Sequence, residues 1–310
     1  MKSGSVWSDI LTKNRYDKTV IQRYIRHEIS LKEAKSLFSN RQDGQWQFGD
    51  ASYNIRLGST ACKHQCKYCY IAPMFARWHK QMKNISMEDL MPVDPSKVRK
   101  NWKGCVVGGG VGTSSNSTRK MYFFPSSSDT FTENASDYIH VANKILESGN
   151  EVMFVTKPTM RSLKAIHDEI TGYPDFLKEN FHVFITFTSK NNQILRQFEP
   201  YSSLYEERLE CLKFLTSLDY EVNVMMEPYL SPPLEMVHEL LPLLPNNKDN
   251  VIAIGEMNYS PKLPFTDEMR NYLFDLYKKE NVIAIWKEVE NNDRLFLKKD
   301  SIKQLMKYYK

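Results

Sequence analysis

Cys62, Cys66 and Cys69 fall within eight residues of the stretch ACKHQCKYCYI, in a chain of 310 residues that has five cysteines in all. Thiols that close together can form a disulfide, hold a zinc ion or wrap an iron–sulfur cluster. An odd and sparse cysteine count argues against a disulfide scaffold and fits a compartment where thiols stay reduced. Structural zinc is usually built from two ligand pairs with a loop or helix between them, because four ligands must be brought round a tetrahedron. Here one loop holds all three cysteines, and no second pair follows. His64 is squeezed between Cys62 and Cys66, and Cys105 and Cys211 stand alone. A four-iron cubane suits the loop better, because closely spaced thiolates on a tight turn can wrap around several irons. Three thiolates leave one iron without a protein ligand, open to a substrate or cofactor.

Such a loop needs firm elements around it. Apolar, β-branched and aromatic runs predict strands over residues 53–57 (YNIRL), 121–124 (MYFF), 151–156 (EVMFVT), 182–187 (HVFITF), 221–226 (EVNVMM) and 251–255 (VIAIG). Helical patterns separate them, for instance over 135–148 and 204–217. Before the second of these, Ser203 and Glu206 have the spacing of a capping box, and Leu209, Leu212 and Leu215 then recur on one face. Strand followed by helix, repeated, implies parallel strands with right-handed crossovers. Periodicity leaves a doubly wound sheet and an incomplete barrel both open, and each places its chemistry at the carboxyl ends of its strands. Ahead of the first strand, residues 16–39 carry an apolar helical face that RQDGQ ends.

The spacing Cys62-x-x-x-Cys66-x-x-Cys69, with Tyr68 before the third cysteine and a strand before the loop, resembles that of the radical S-adenosylmethionine enzymes. The resemblance implies an α/β fold, a partial (βα)6 TIM-type barrel, with the loop after its first strand. It implies a [4Fe-4S] cluster whose open iron is chelated by S-adenosyl-L-methionine. Reductive cleavage of that cofactor would yield a 5′-deoxyadenosyl radical that abstracts hydrogen from substrate. A narrower likeness, to the spore photoproduct lyase and DNA repair photolyase branch, rests on ACKHQCKYCYI, on VTKP at 155–158 and on LRQFEPYSSLYEERLECLKFL at 195–215. It spans about residues 53–258. On this reading residues 1–50 are an N-terminal helical extension, 51–262 the partial barrel, and 263–310 a C-terminal α/β extension packing on it.

The same resemblance suggests cofactor contacts. Lys157 closes EVMFVTK at a predicted carboxyl strand end, where a cation could pair with the cofactor's carboxylate, or simply be a surface lysine before a turn. Ser127 and Asp129 in FPSSSDTF could hydrogen-bond the cofactor, or cap the helix that follows. In spore photoproduct lyase this neighbourhood supplies a cysteine that returns a hydrogen atom to the product radical; here it has none. Arg196 and Glu199 in LRQFEP could form a charge pair or contact the cofactor, and Tyr68 sits within the loop itself. Glu227, Glu256 and Asn258 end the fifth and sixth strands and are candidates by position. Tyr70 and Cys105 are the candidates for a residue that takes part in catalysis. Cys211, beside Leu212 in a helical pattern, reads as a small core residue. The run GGGVG at 108–112 lacks the Lys and Ser/Thr of a phosphate loop and reads as a hairpin or flap.

Composition narrows the setting. Hydrophobic content of 41% with 25% charged residues is that of a globular protein, and no stretch approaches the roughly 18 apolar residues of a membrane span. The start, MKSGSVWSDILTKNRYDK, has no signal-peptide core, so a cytoplasmic protein without membrane partners is expected. A net charge of +5 and the basic segments KVRKNWK and DSIKQLMKYYK are compatible with DNA or another nucleic acid as partner. An electron donor such as flavodoxin or ferredoxin is implied by the reductive chemistry. Two other readings stand beside this one: the same chemistry on a peptide, tRNA or metabolite, and a non-catalytic, zinc-stabilised nucleic-acid binding protein.

Overall fold

The computed structural model describes residues 5–38, 47–55, 62–69, 71, 93–100, 119–174, 178–257, 263 and 265–309. Seven strands form one parallel sheet in sequence order: β1 (Ala51–Ser52), β2 (Met121–Phe123), β3 (Glu151–Thr156), β4 (Phe181–Thr186), β5 (Val222–Met226), β6 (Ile252–Ile254) and β7 (Leu295–Leu297). The sheet curves as a half-barrel. Neighbours in the chain are neighbours in the sheet throughout, the order of a barrel rather than of a doubly wound sheet, in which the order reverses.

Five of the six expected strands recur with their ends shifted by at most one residue. The first does not. Pairing there is confined to Ala51 and Ser52, two residues before the predicted YNIRL, whose last two residues lie outside the described ones. The register is pinned by Asp50, whose carboxylate accepts from the Met121 N–H at 3.0 Å, while its own N–H donates to the Met121 carbonyl at 2.8 Å. β7 is a seventh strand beyond the six expected; its three residues are too few to show a period.

Alternation along the strands divides two apolar faces. Val152, Phe154, Val183, Ile185, Val224, Met226, Ile252 and Ile254 pack against the outer helices α4 (Ala135–Glu147), α5 (Met160–Thr171), α7 (Tyr205–Ser217), α8 (Leu234–Leu240), α10 (Lys279–Glu290) and α11 (Lys299–Tyr308). The residues between them, Met121, Met153, Phe184, Met225, Ala253 and Phe296, face the concave side. There they meet Trp7, Ile10 and Leu11 of α1 (Val6–Ile25) together with Phe48. The expected extension thus supplies the filling of the half-barrel. The predicted single helical stretch over 16–39 is two helices: α1 stops before His27, which has φ 58°, and α2 (Leu31–Leu37) begins with a capping box of Ser30 and Glu33.

α1 is fastened where β3 begins. The fully buried Glu151 carboxylate accepts from the N–H groups of Val6 (2.6 Å) and Trp7 (3.0 Å) and from Ser5 Oγ (3.1 Å), satisfying donors that a helix N-terminus leaves open. His182 and Arg119 reach the same carboxylate at 3.1 Å each. Burial would raise the Glu151 pKa, but the His182 contact and the helix amides outweigh it and hold the group below its ordinary value.

The remaining helices are α3 (Pro95–Val98), α6 (Asn192–Phe198) and α9 (Asp267–Leu276). Among the described residues no helix is long and apolar enough to cross a membrane. The capping box expected before α7 is not made: Leu204 is its N-cap, and Ser203 Oγ instead accepts from Arg208 Nε at 3.2 Å. Glu206 is drawn to Asn192 at 3.0 Å.

Candidate cysteine-loop site

The cysteine loop sits at the carboxyl-end side of the sheet, where its residues meet those that follow β2, β3 and β4. Two tight turns shape it: the Gln65 N–H donates to the Cys62 carbonyl at 3.1 Å, and the Cys69 N–H donates to the Cys66 carbonyl at 3.0 Å. Gln65 takes φ 48° to reverse the chain. Cys62, Cys66 and Cys69 are all free thiols of intermediate exposure. Burial, then the charge of Asp129, pushes the Cys62 thiol up to about 12; burial likewise raises Cys66, against the pull of Lys157. Cys62 and Cys66 hold their protons at neutral pH unless a metal cation takes their place.

Three buried contacts hold the loop. The first is Asp129, which follows β2. Its Oδ2 meets His64 Nε2 at 2.9 Å and accepts from the Lys157 N–H at 2.8 Å; its Oδ1 accepts from Thr156 Oγ1 at 2.6 Å and the Thr130 N–H at 2.7 Å. Burial would raise this carboxyl, but the hydrogen bond and charge of His64, then Lys157 and Thr156, bring it down to about 2. His64 also packs on Phe131 at 4.8 Å, and its Nδ1 lies 3.5 Å from the Tyr201 carbonyl. Both ring nitrogens are therefore engaged, which counts against His64 as a fourth metal ligand. Neither does Asp129 cap a helix. A short 3-10 turn over Thr132–Asn134 precedes α4, and the carboxylate points to the loop instead.

The second contact is Glu199, after α6. Its Oε1 accepts from the Tyr68 hydroxyl and from Thr188 Oγ1 (2.7 Å); its Oε2 accepts from Arg208 and from Ser202 Oγ (2.8 Å). Burial opposes the charge on Glu199, but the Arg208 and Lys157 cations and these donors hold it at about 2. Arg208, fully buried on α7, also donates to the carbonyls of Thr186 (2.9 Å) and Ser203 (2.8 Å). In the third contact, the Lys67 N–H donates to the Phe198 carbonyl at 2.9 Å. The expected pairing of Arg196 with Glu199 is not made. Arg196 is exposed and donates to the carbonyls of Pro200 (3.1 Å) and Ser202 (2.9 Å), because Arg208 reaches the carboxylate from within.

Lys157 lies among these groups. Its ammonium is 5.7 Å from the centre of the Tyr68 ring and, among the described residues, within 4 Å of no carboxylate. Burial opposes its charge, yet Cys66, Glu199 and Asp129 around it raise its pKa, so it is a cation facing the loop. Ser127 is half-buried in the loop after β2, where Ser128 bonds Asn54 at 3.1 Å. Tyr70, Cys105, Asn258 and the 108–112 glycine run lie outside the described residues. Cys211 is fully buried against Met160, as a core residue would be.

Arg208 is a participant that the sequence did not single out, and His64, weighed there only beside the zinc reading, proves to be the partner of Asp129. Arg208 had a legible signal: it stands on the same helical face as Cys211, Leu212 and Leu215, where a charged residue must have a buried partner. The pairing of His64 had none, because its partner Asp129 is far along the chain. Comparison of the chain with protein-family models and with curated proteins finds no match.

Proposed function

We propose that this chain is a radical S-adenosylmethionine enzyme acting on a nucleic acid or nucleotide-like substrate. The observation that carries the proposal is the gathering, at the carboxyl-end side of a parallel half-barrel, of three free thiols on one loop whose Tyr68 ring lies 5.7 Å from the Lys157 ammonium, a cation with no carboxylate within 4 Å among the described residues. The donor set suits a [4Fe-4S] cluster. Its fit rests on the chemistry of the donors, three free thiols on one short loop, since a cubane asks for one thiolate on each of three irons.

Cys62, Cys66 and Cys69 would hold the cluster, and Lys157 would pair with the carboxylate of S-adenosylmethionine. When bound, these groups supply one-electron cleavage of the sulfonium to a 5′-deoxyadenosyl radical. The chain's own residues position the parts. Glu199, locked by Arg208, orients Tyr68 and with it the third cysteine. Asp129 joins the loop, through His64, to the main chain of Lys157. Both carboxylates have their acceptor positions taken by protein donors, which suits them to positioning rather than to direct cofactor contact.

Anoxic reconstitution with iron and sulfide, followed by reduction and assay for 5′-deoxyadenosine, tests the proposal. Product formation that disappears in Cys62→Ala, Cys66→Ala and Cys69→Ala supports it. Stoichiometric zinc with no 5′-deoxyadenosine overturns it.

A further inference from the structure

The cysteine loop also has a solvent side, and cations gather on it. The Lys67 N–H bonds the Phe198 carbonyl at 2.9 Å, which sets the exposed Lys67 beside the end of α6. Lys63 meets Glu133 at 3.5 Å on the 3-10 turn before α4, and its ammonium lies 5.6 Å from the centre of the Phe131 ring. Arg161, exposed at the start of α5, also acts on the Glu133 carboxyl and favours its charged form. The other carboxylates of the region, Asp129 and Glu199, are buried among the donors that hold the loop. The outer face of the loop is therefore basic.

Tyr201 stands on this face. Four large apolar or aromatic side chains are exposed among the described residues. Tyr16 is on α1, Leu218 follows α7 and Phe274 is on α9; Tyr201 is the one beside the cysteine loop. Its side chain is in solvent, 57% exposed, while its main chain is tied on both sides. Arg196 Nη1 donates to the carbonyls of the two flanking residues, Pro200 (3.1 Å) and Ser202 (2.9 Å). The Tyr201 carbonyl lies 3.5 Å from His64 Nδ1, and the Ser202 N–H closes the turn on the Glu199 carbonyl at 3.3 Å. None of these bonds needs an aromatic ring, and a solvated ring adds nothing to the core. A single exposed ring is ordinary on a protein surface. This one is distinguished by a fixed backbone and by the cations around it. Arg196 spends only Nη1 on the turn among the described residues, so Nε and Nη2 keep donors for an outside acceptor.

A guanidinium fork beside a flat ring suits a phosphate next to a base, because the fork meets phosphate oxygens and any base can stack on the ring. A protein partner asks for a broader apolar patch than one ring. We infer that this face is a nucleic-acid docking surface, on which Tyr201 stacks a base of a single-stranded segment while Arg196, Lys67 and Lys63 hold its phosphates. The inference rests on the nucleic-acid reading of the substrate, and it brings the strand to the rim of the cysteine loop. Stacking is tolerant of sequence, so the face selects a strand with bases rather than a particular base.

Fluorescence anisotropy tests it, with the whole chain, labelled oligodeoxythymidylate and an abasic oligomer of the same length, over a series of salt concentrations. Tyr201→Ala should weaken binding of oligodeoxythymidylate roughly tenfold, as the loss of one stacked base does, and leave the abasic oligomer unaffected. Tyr201→Phe keeps the ring and should bind as the wild-type protein does. Lys67→Gln should weaken both oligomers alike and lower the slope of log affinity against log salt by about 1. Circular dichroism checks that each variant is folded. Wild-type affinity of Tyr201→Ala for oligodeoxythymidylate overturns the inference, as does an equal loss for both oligomers. Oligomer binding that survives in Tyr201→Ala and Lys67→Gln while reduction by an acidic flavodoxin fails gives the face to a protein partner, and overturns it too. Strand binding indifferent to Tyr201 removes this inference alone, whereas a wild-type protein that binds neither oligomer removes the nucleic-acid reading with it. Production of 5′-deoxyadenosine judges the radical chemistry separately.

Discussion

Replacing Arg208 by methionine removes the cation from the buried centre of the cysteine-loop support while keeping much of its volume. Arg208 and Glu199 are both fully buried, and the arginine makes contacts with Glu199, Ser202, Ser203 and Thr186 that no water can replace. Removing one partner of a buried pair leaves the other charge uncompensated, at a cost of roughly 3–5 kcal/mol. Since a domain is stable by only about 5–15 kcal/mol, Arg208→Met is expected to take a large part of the total. The sign of the pH dependence follows from Glu199. In the wild-type protein its pKa is held at about 2, below the unfolded value, so its contribution is complete above the unfolded pKa and is lost as pH falls toward 2. In the variant, burial is opposed by Lys157 and the hydroxyl donors but no longer by Arg208, so that pKa rises and protonation relieves the strain. The stability gap between the two proteins should therefore narrow from pH 7 to pH 4. Urea denaturation followed by circular dichroism at both pH values measures it. A gap below about 1 kcal/mol at pH 7 would match a solvated surface pair and refute the assignment. So would a gap that does not change with pH.

Two further outcomes concern stability. Trp7→Ala should cost roughly 3–5 kcal/mol in urea denaturation, because the indole is 2% exposed, fills the concave face and bonds the Asp249 carbonyl at 2.8 Å. A loss under about 1 kcal/mol would mean that α1 is not part of the core. Glu256 is raised to about 8, first by burial and then by Asp300, and its Oε1 has no hydrogen-bond partner among the described residues. A folded pKa above the unfolded one means stability that is complete below the unfolded pKa and lost as pH rises toward 8. Glu256→Gln should accordingly stabilise the protein by about 1–3 kcal/mol at pH 8 and do nothing at pH 4. A variant no more stable than wild type at pH 8 contradicts this.

What the sequence determined by itself was whatever a short contiguous stretch can encode. The cysteine spacing, the β3 run EVMFVT, the apolar face of α7 and the small-core role of Cys211 all depend on neighbours within a turn or a strand. Their physics is local, and periodicity or spacing expresses it directly. Tertiary structure decided everything that needed a partner from elsewhere in the chain. Asp129 reads equally well as a helix cap until β3 and the cysteine loop bring Thr156 and His64 to its two oxygens. Glu199 has an arginine three residues away and bonds a different one, because α7 carries Arg208 inward and leaves Arg196 in water. Residues that looked like an extension became the filling of the half-barrel, since a curved sheet leaves a concave apolar face that only a separate helix can cover. Glu227, Gly255 and Lys298 each follow a different strand, β5, β6 and β7. Only the parallel register sets them side by side, with Glu227 and Lys298 paired across the glycine, so a glycine between two β-strand ends acquired its meaning from side chains that no local pattern could have shown.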